Sequence, residues 1–153
     1  MISGPPGVGK SSLALHWAHL HRGRFPDGQL YAHLGTLDPD DASAVLPRFL
    51  GALGIAEPRV PSGVEAQIGL YRSMLATRRV LVMLDDAHGT DQVAPLLAAA
   101  PGCMTLITSR TDLPSLSVTV GASLLHLDVL SDEDAHQLLA ARVGETRLAA
   151  EPE

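Results

Sequence analysis

Apolar positions along the chain fall into two patterns, short continuous runs and stretches with helical spacing. The short runs predict strands at residues 1–3, 29–34, 80–84, 104–108 and 123–127. The run 80–84 is apolar at all five positions, which is typical of a parallel strand buried on both faces. Helical segments separate the runs, and this order predicts an α/β fold with a five-stranded, mostly parallel sheet.

Helical spacing and capping signals place the helices. A helix over residues 10–21 carries Leu13, Trp17 and Leu20 on one face, at positions i, i+4 and i+7. The run Asp38-Pro39-Asp40-Asp41 is predicted to open a second helix, which Gly54 closes. Three further helices are predicted from their caps. Ser62 and Glu65 have capping-box spacing for a helix reaching Ala76, and Thr90 or Asp91 caps a short helical stretch that Pro95 restarts. Ser131 caps the last helix, which Gly144 ends.

The first strand is short for a buried strand. Only residues 1–3 precede a Gly/Pro-rich segment, whereas a strand usually has about five or six residues. The tail 147–153 adds no closing element. Both ends therefore predict a piece of a longer protein, with one domain over 1–146 and the start of a following segment at 147–153.

Composition narrows the class of protein. A chain of 153 residues with 46% hydrophobic and 18% charged residues suits one soluble globular domain. The net charge is −6 and no basic cluster is present, so direct DNA binding by this segment is not expected. Cys103 is the only cysteine, which argues against a disulfide or a cysteine metal site. No signal peptide or membrane span is predicted, and a cytoplasmic location follows.

The segment Gly4-Pro5-Pro6-Gly7-Val8-Gly9-Lys10-Ser11 matches the phosphate-loop pattern G-x-x-x-x-G-K-[ST] at every fixed position. Its glycines let successive N–H groups converge on an anion at the start of a helix. Lys10 would reach the β/γ-phosphate oxygens of ATP or ADP, and the Ser11 hydroxyl would ligate Mg²⁺. The predicted nucleotide contacts are Gly4, Pro6, Gly7, Val8, Gly9, Lys10, Ser11 and Ser12. The alternative is a Gly/Pro turn before an ordinary helix.

Lysine usage favours the phosphate-loop interpretation. Lys10 is the only lysine among the 11 basic residues, and all the others are arginines. A compact ammonium fits among phosphates where a guanidinium is too bulky.

Two acids, Asp85 and Asp86, follow the apolar run 80–84. In a parallel sheet, ligands bind at the carboxyl ends of the strands. Asp85 is therefore predicted to hold the Mg²⁺ shell opposite Ser11, and Asp86 to orient or deprotonate an attacking water. The alternative is that both acids only cap the turn at Thr90.

Arg110 follows the strand 104–108, after Thr108 and Ser109, and would lie at the same edge of the sheet. An arginine there can bind a γ-phosphate and report its presence, and an exposed arginine without a role is the alternative. His16 and His19 lack an evident third metal ligand, and His88 is interpreted as a loop histidine near the site.

Four segments together resemble the NB-ARC nucleotide-binding domain of signal-transduction ATPases with numerous domains. These are 4–12, 25–31, 80–87 and 108–110, including the Phe-Pro-Asp-Gly strand entry and the Thr-Ser-Arg ending. The version resembled is that of actinobacterial antibiotic-regulatory and related multidomain transcriptional regulators, over residues 2–144.

The resemblance implies a phosphate-loop NTPase fold, a three-layer sandwich in which the Thr108 strand lies between the loop strand and the Asp85 strand. It also implies a switch controlled by ADP–ATP exchange and nucleotide-dependent oligomerisation, within a chain carrying DNA-binding and helical-repeat domains. The family's helical subdomain and winged-helix lid are expected to lie beyond this chain. Relatives often have Asn at the position of Asp86, so its catalytic role is open.

The leading hypothesis is a regulatory ATP/ADP-binding switch with at most slow hydrolysis. A turnover enzyme, such as a small kinase or a transport ATPase, is the alternative. The kinase would need a lid with several arginines, and the transport ATPase a Leu-Ser-Gly-Gly signature, which is absent. A scaffold that has lost its nucleotide site is the third interpretation, and the full set of loop and strand-end residues argues against it.

Overall fold

Five strands lie in one parallel sheet in the computed structural model, which describes residues 1–37, 44–144 and 147. They are β1 (Ile2–Ser3), β2 (Gln29–His33), β3 (Leu81–Ala87), β4 (Met104–Ser109) and β5 (Leu125–His126). Their order is β2-β3-β4-β1-β5, and every neighbouring pair is parallel. The predicted α/β class is confirmed, and β4 lies between β1 and β3 as the family resemblance implies.

Helices connect the strands and cover both faces of the sheet. They are α1 (Lys10–Leu20), α2 (Val45–Ala52), α3 (Val64–Leu75), α4 (Thr90–Val93), α5 (Pro114–Val120) and α6 (Asp132–Val143). Within the described ranges, no helix is both long and apolar enough to span a membrane.

Two apolar clusters separate the layers. Because side chains alternate along β3, Leu81 and Met83 face α1 in one cluster, while Val82 and Leu84 face α2 and α3 in the other. All four side chains are buried, as the continuous apolar run predicts for a central strand. The result is a three-layer sandwich with the carboxyl ends of the strands along one edge.

The buried face of α1 differs from the predicted one. Ala14 and Ala18 are buried against the sheet, whereas Leu13 is 38% exposed and Leu20 is 64% exposed. Trp17 is only partly buried, at the margin of the same cluster. Two alanines let the helix backbone approach the sheet more closely than leucines allow, and this packing overrides the leucine spacing.

The start of α3 also differs from the prediction. Gly63, in an extended conformation, precedes the helix, and no side chain caps its first turn, so the Ser62 capping box is wrong. Instead, the Gln67 side chain donates a hydrogen bond to the Pro61 carbonyl at 2.7 Å and anchors this end.

Caps at the later helices give a mixed result. The Ser131 cap is confirmed, because its hydroxyl accepts a hydrogen bond from the Asp134 N–H, and Gly144 follows the last residue of α6 as its C-terminal cap. Helix α4 begins after Gly89 without a side-chain cap, so neither Thr90 nor Asp91 caps it.

Several boundaries differ. Strand β3 continues through both acids to Ala87, and α5 is a helix that the pattern did not predict. Strand β5 has two residues instead of five because its neighbour β1 offers only Ile2 and Ser3 for pairing. The helix opening predicted at 38–41 and the tail 148–153 lie outside the described residues.

Candidate functional site

The Gly/Pro-rich loop connects β1 to α1 at the carboxyl edge of the sheet. Gly7 and Gly9 have φ angles of 80° and 99°, in the region that favours glycine. Gly9 precedes Lys10 at the start of α1, where no side chain caps the helix. The N–H groups of the first turn therefore keep their capacity to bind an anion.

Gly4 is constrained by a close approach of two backbone segments. Its φ is 145°, and a Cβ at this position would overlap with the carbonyl oxygen of Leu127. The Leu127 N–H donates to the carbonyl of Ser3 at 2.8 Å, which holds the two segments together. Only glycine fits here without a shift of the backbone.

The Lys10 side chain folds back onto the loop. Its Nζ donates to the carbonyl oxygens of Gly4 at 2.8 Å and Pro5 at 2.7 Å, and the residue is buried. An ammonium has three donors, so these two bonds fix its position and leave one donor for a further acceptor. The loop thus holds a positive charge beside its glycine backbone.

Asp85 accepts four side-chain hydrogen bonds at this edge of the sheet. Its Oδ1 accepts hydrogen bonds from Ser11 and Thr108, both at 2.6 Å. Its Oδ2 accepts from Tyr31 at 3.2 Å and from His33 at 3.3 Å. Burial acts to raise the pKa of Asp85, but the four hydrogen bonds outweigh it, so the pKa lies below its usual value. The carboxylate is therefore ionised at neutral pH.

Ser11 and Asp85 fit a magnesium ion by the chemistry of their atoms. A hydroxyl and a carboxylate oxygen 2.6 Å apart are hard ligands next to the phosphate loop. The described part of the chain has no group of three His, Cys, Asp or Glu residues that would hold a metal without other ligands. Magnesium typically takes one or two protein oxygens and completes its shell with phosphate and water.

Asp86 and Arg110 form an ion pair. Arg110 donates from Nε to Oδ1 and from a terminal nitrogen to Oδ2 of Asp86, both at 2.9 Å. This pairing raises the pKa of Arg110. The two predicted catalytic residues therefore contact each other, and both carboxylate oxygens of Asp86 face a guanidinium.

Strand β3 is irregular at Asp86, the residue that pairs with Arg110. Asp86 has a φ of 55°, and the pairing with β4 shifts register between Leu84 and Ala87. The Asp86 N–H donates to the Thr108 hydroxyl at 2.9 Å instead of following a regular ladder. The positive φ and the register shift together mark a β-bulge at Asp86.

A cavity of about 430 Å³ lies beside the loop, between it and the start of α6. Its wall is mostly apolar and consists of Pro6, Gly7, Val8, Val129, Leu130 and Ala135. Sequence reasoning missed the last three residues, because apolar residues before a helix carry no distinctive signal. It also missed Tyr31 and His33, although their alternate spacing toward the end of a strand was visible.

Comparison with known proteins assigns the chain to a family. The NB-ARC domain family profile matches residues 1–149. The regulatory protein AfsR of Streptomyces griseus is 46% identical over 99% of this chain, and that of Streptomyces coelicolor is 45% identical over 98%. The ToMV resistance protein Tm-2(2) of Solanum lycopersicum is 27% identical over 93% of this chain.

The chain spans only 15–16% of the length of these relatives. Among solved structures, Drosophila ORC bound to GC-rich DNA and Cdc6 aligns with a TM-score of 0.50 at 14% identity, covering 83% of this chain and 47% of that one. At this identity the likeness supports the fold alone.

Proposed function

The chain belongs to the NB-ARC domain family, and from that premise we propose that it is a switch module that binds ADP or ATP with Mg²⁺. The family and its regulatory relatives make it a nucleotide-binding regulatory domain. The proposal adds the choice of nucleotide, the metal and a rate of ATP hydrolysis that is slow at most.

One observation carries the proposal, the convergence of three elements on one point. The glycine loop, the Lys10 ammonium held by two loop carbonyls, and the Ser11–Asp85 contact lie together at the carboxyl edge of the sheet. The loop amides and the start of α1 would bind the α- and β-phosphates, and the third donor of Lys10 would bind the β/γ oxygens. Bound Mg²⁺ would neutralise phosphate charge beside Ser11.

The base and ribose would extend past the loop toward the cavity at Val129 and Leu130. That cavity is mostly apolar, and planar bases pack favourably on such surfaces. Among the described residues, α6 contributes Ala135 to the wall of this cavity.

We further propose that the switch acts within a longer regulator. The relatives are about six times as long as this chain, which leaves room for DNA-binding and helical-repeat domains. Nucleotide exchange would then control contacts with those domains or the formation of an oligomer. The segment itself carries a net charge of −6, which disfavours direct binding to DNA.

The Asp86–Arg110 pair favours a switch over a turnover enzyme. While the pair is closed, both oxygens of Asp86 accept hydrogen bonds from Arg110, and an arginine so engaged does not reach a γ-phosphate at the same time. Fast hydrolysis would require the pair to open and Arg110 to move, or a second arginine supplied by another molecule.

ATP hydrolysis by the purified chain is therefore expected to be slow. Phosphate-loop GTPases turn over at roughly 10⁻⁴ per second without a transition-state arginine and at about 10⁻² per second with one supplied in cis, against about 10 per second for a typical enzyme. Steady-state phosphate release should fall in the slow range for the parent chain and for Asp86→Ala and Arg110→Ala. Turnover of several per second that is lost in both variants would identify a turnover enzyme instead.

Replacing Asp85 with asparagine tests the metal. The amide keeps the size of the side chain but removes the negative charge, so Mg²⁺-dependent ATP binding should weaken about tenfold or more. Binding of ADP without metal should change much less, because the loop and Lys10 supply that affinity. Calorimetry with and without a chelator separates the two cases, and equal losses in both would contradict the magnesium role of Asp85.

A further inference from the structure

The edge strand β2 places two polar side chains over its neighbour β3. Tyr31 and His33 are two residues apart and lie on the exposed face of β2, while the alternate residues Leu30 and Ala32 face the core. The register pairs His33 with Asp85 directly. Both side chains consequently reach Asp85 from the open side of the sheet.

The four donors to Asp85 are divided between its two oxygens. Oδ1 accepts from Ser11 on α1 and Thr108 on β4. Oδ2 accepts from Tyr31 and His33, which both lie on β2. The terminal torsion of an aspartate is broad and nearly two-fold, so burial alone does not set the rotation of the carboxylate. Two donors on Oδ2 hold Oδ1 toward Ser11.

We infer that Tyr31 and His33 are positioning residues of the magnesium site, which orient Asp85 without touching metal or phosphate themselves. The inference rests on the proposed function, since it names the residues that support its metal ligand. A carboxylate only accepts hydrogen bonds, so the proton of His33 lies on Nδ1, and the neutral imidazole suffices for this contact. Outer-shell partners of this kind typically change metal affinity about 10–100-fold when they are removed.

The test uses the double variant Tyr31→Phe/His33→Leu, which removes both donors and keeps similar bulk. The Mg²⁺ concentration that half-saturates ATP binding should rise about tenfold in this variant. Metal-free ADP affinity should stay within about twofold of the parent chain, because the loop donors hold the diphosphate. A general loss of structure would lower both affinities together, so the split between them reports positioning.

Two further variants complete the design. The single variant His33→Asn keeps Tyr31 and has an amide N–H donor at position 33, which leucine lacks. Its Mg²⁺ requirement should lie within about threefold of that of the parent chain. His16→Leu, on the exposed face of α1, makes the same histidine-to-leucine change away from Asp85 and should have no effect.

The outcomes separate the inference from the proposed function. An unchanged Mg²⁺ requirement in the double variant, with ADP still bound, overturns the positioning role and leaves the switch proposal intact. Equal losses of metal-free and metal-dependent binding in the double variant also overturn it. Failure of the parent chain to bind ADP overturns the proposed function itself.

Discussion

Replacing Lys10 with alanine is expected to reduce ADP affinity about ten- to a hundredfold, because one ammonium donor is left for the phosphates. Hydrogen bonds to charged groups contribute roughly 1.5–3 kcal/mol each, and about 1.4 kcal/mol corresponds to a factor of ten. Lys10 is the only lysine of the chain, and its ammonium is already fixed by Gly4 and Pro5. No other flexible ammonium is available to replace it. Titration calorimetry of the purified protein with ADP measures the loss.

The same experiment needs two comparisons. Arg24→Ala removes a positive charge from an exposed turn and should leave ADP affinity nearly unchanged. Lys10→Arg keeps the charge but inserts a larger planar group into the loop, so it should bind ADP almost as poorly as Lys10→Ala. Parental affinity in Lys10→Ala would show that the loop does not bind phosphates.

The second large effect is expected at Gly4. An alanine there must place its Cβ against the Leu127 carbonyl oxygen, on a backbone whose φ of 145° disfavours any side chain. Strain of this kind costs about 1–3 kcal/mol even before the overlap is added, so the free energy of unfolding should fall by roughly 3 kcal/mol or more. The loop would shift to relieve the overlap, and ADP affinity should fall with it. Urea unfolding measures the stability.

Gly51→Ala is the matched control. Gly51 lies in α2, and a Cβ added there meets no atom within 4 Å. The same chemical change should therefore stabilise the protein slightly, by up to about 1 kcal/mol, because alanine favours a helix over glycine. If Gly4→Ala unfolded at the same midpoint urea concentration as the parent chain, this result would contradict the close approach of Leu127 to the loop.

Local signals made much of the fold predictable. The phosphate loop, the buried strand before Asp85 and the cap at Ser131 each depend on residues close together in the chain, and all three appear where expected. The sheet order came from the family resemblance, since strand spacing alone does not place β4 between β1 and β3.

The rest depends on contacts between distant segments. Asp86 pairs with Arg110 at an irregular part of β3, and no pattern in one strand predicts a register shift against another. The choice of Ala14 and Ala18 for burial depends on how closely α1 approaches the sheet. The donors from β2 to Asp85 depend on which strand becomes its edge neighbour.

Helix α6 has a thermodynamic consequence for the site. None of its residues is buried, and it joins the sheet through a two-residue strand, β5. Segments with so little buried apolar contact open at a small fraction of the global unfolding free energy. A ligand that touches both the loop and Ala135 would bind the closed population and not the open one, so its binding free energy would shift that local equilibrium. A helix with this little buried surface would then report whether the phosphate loop is filled.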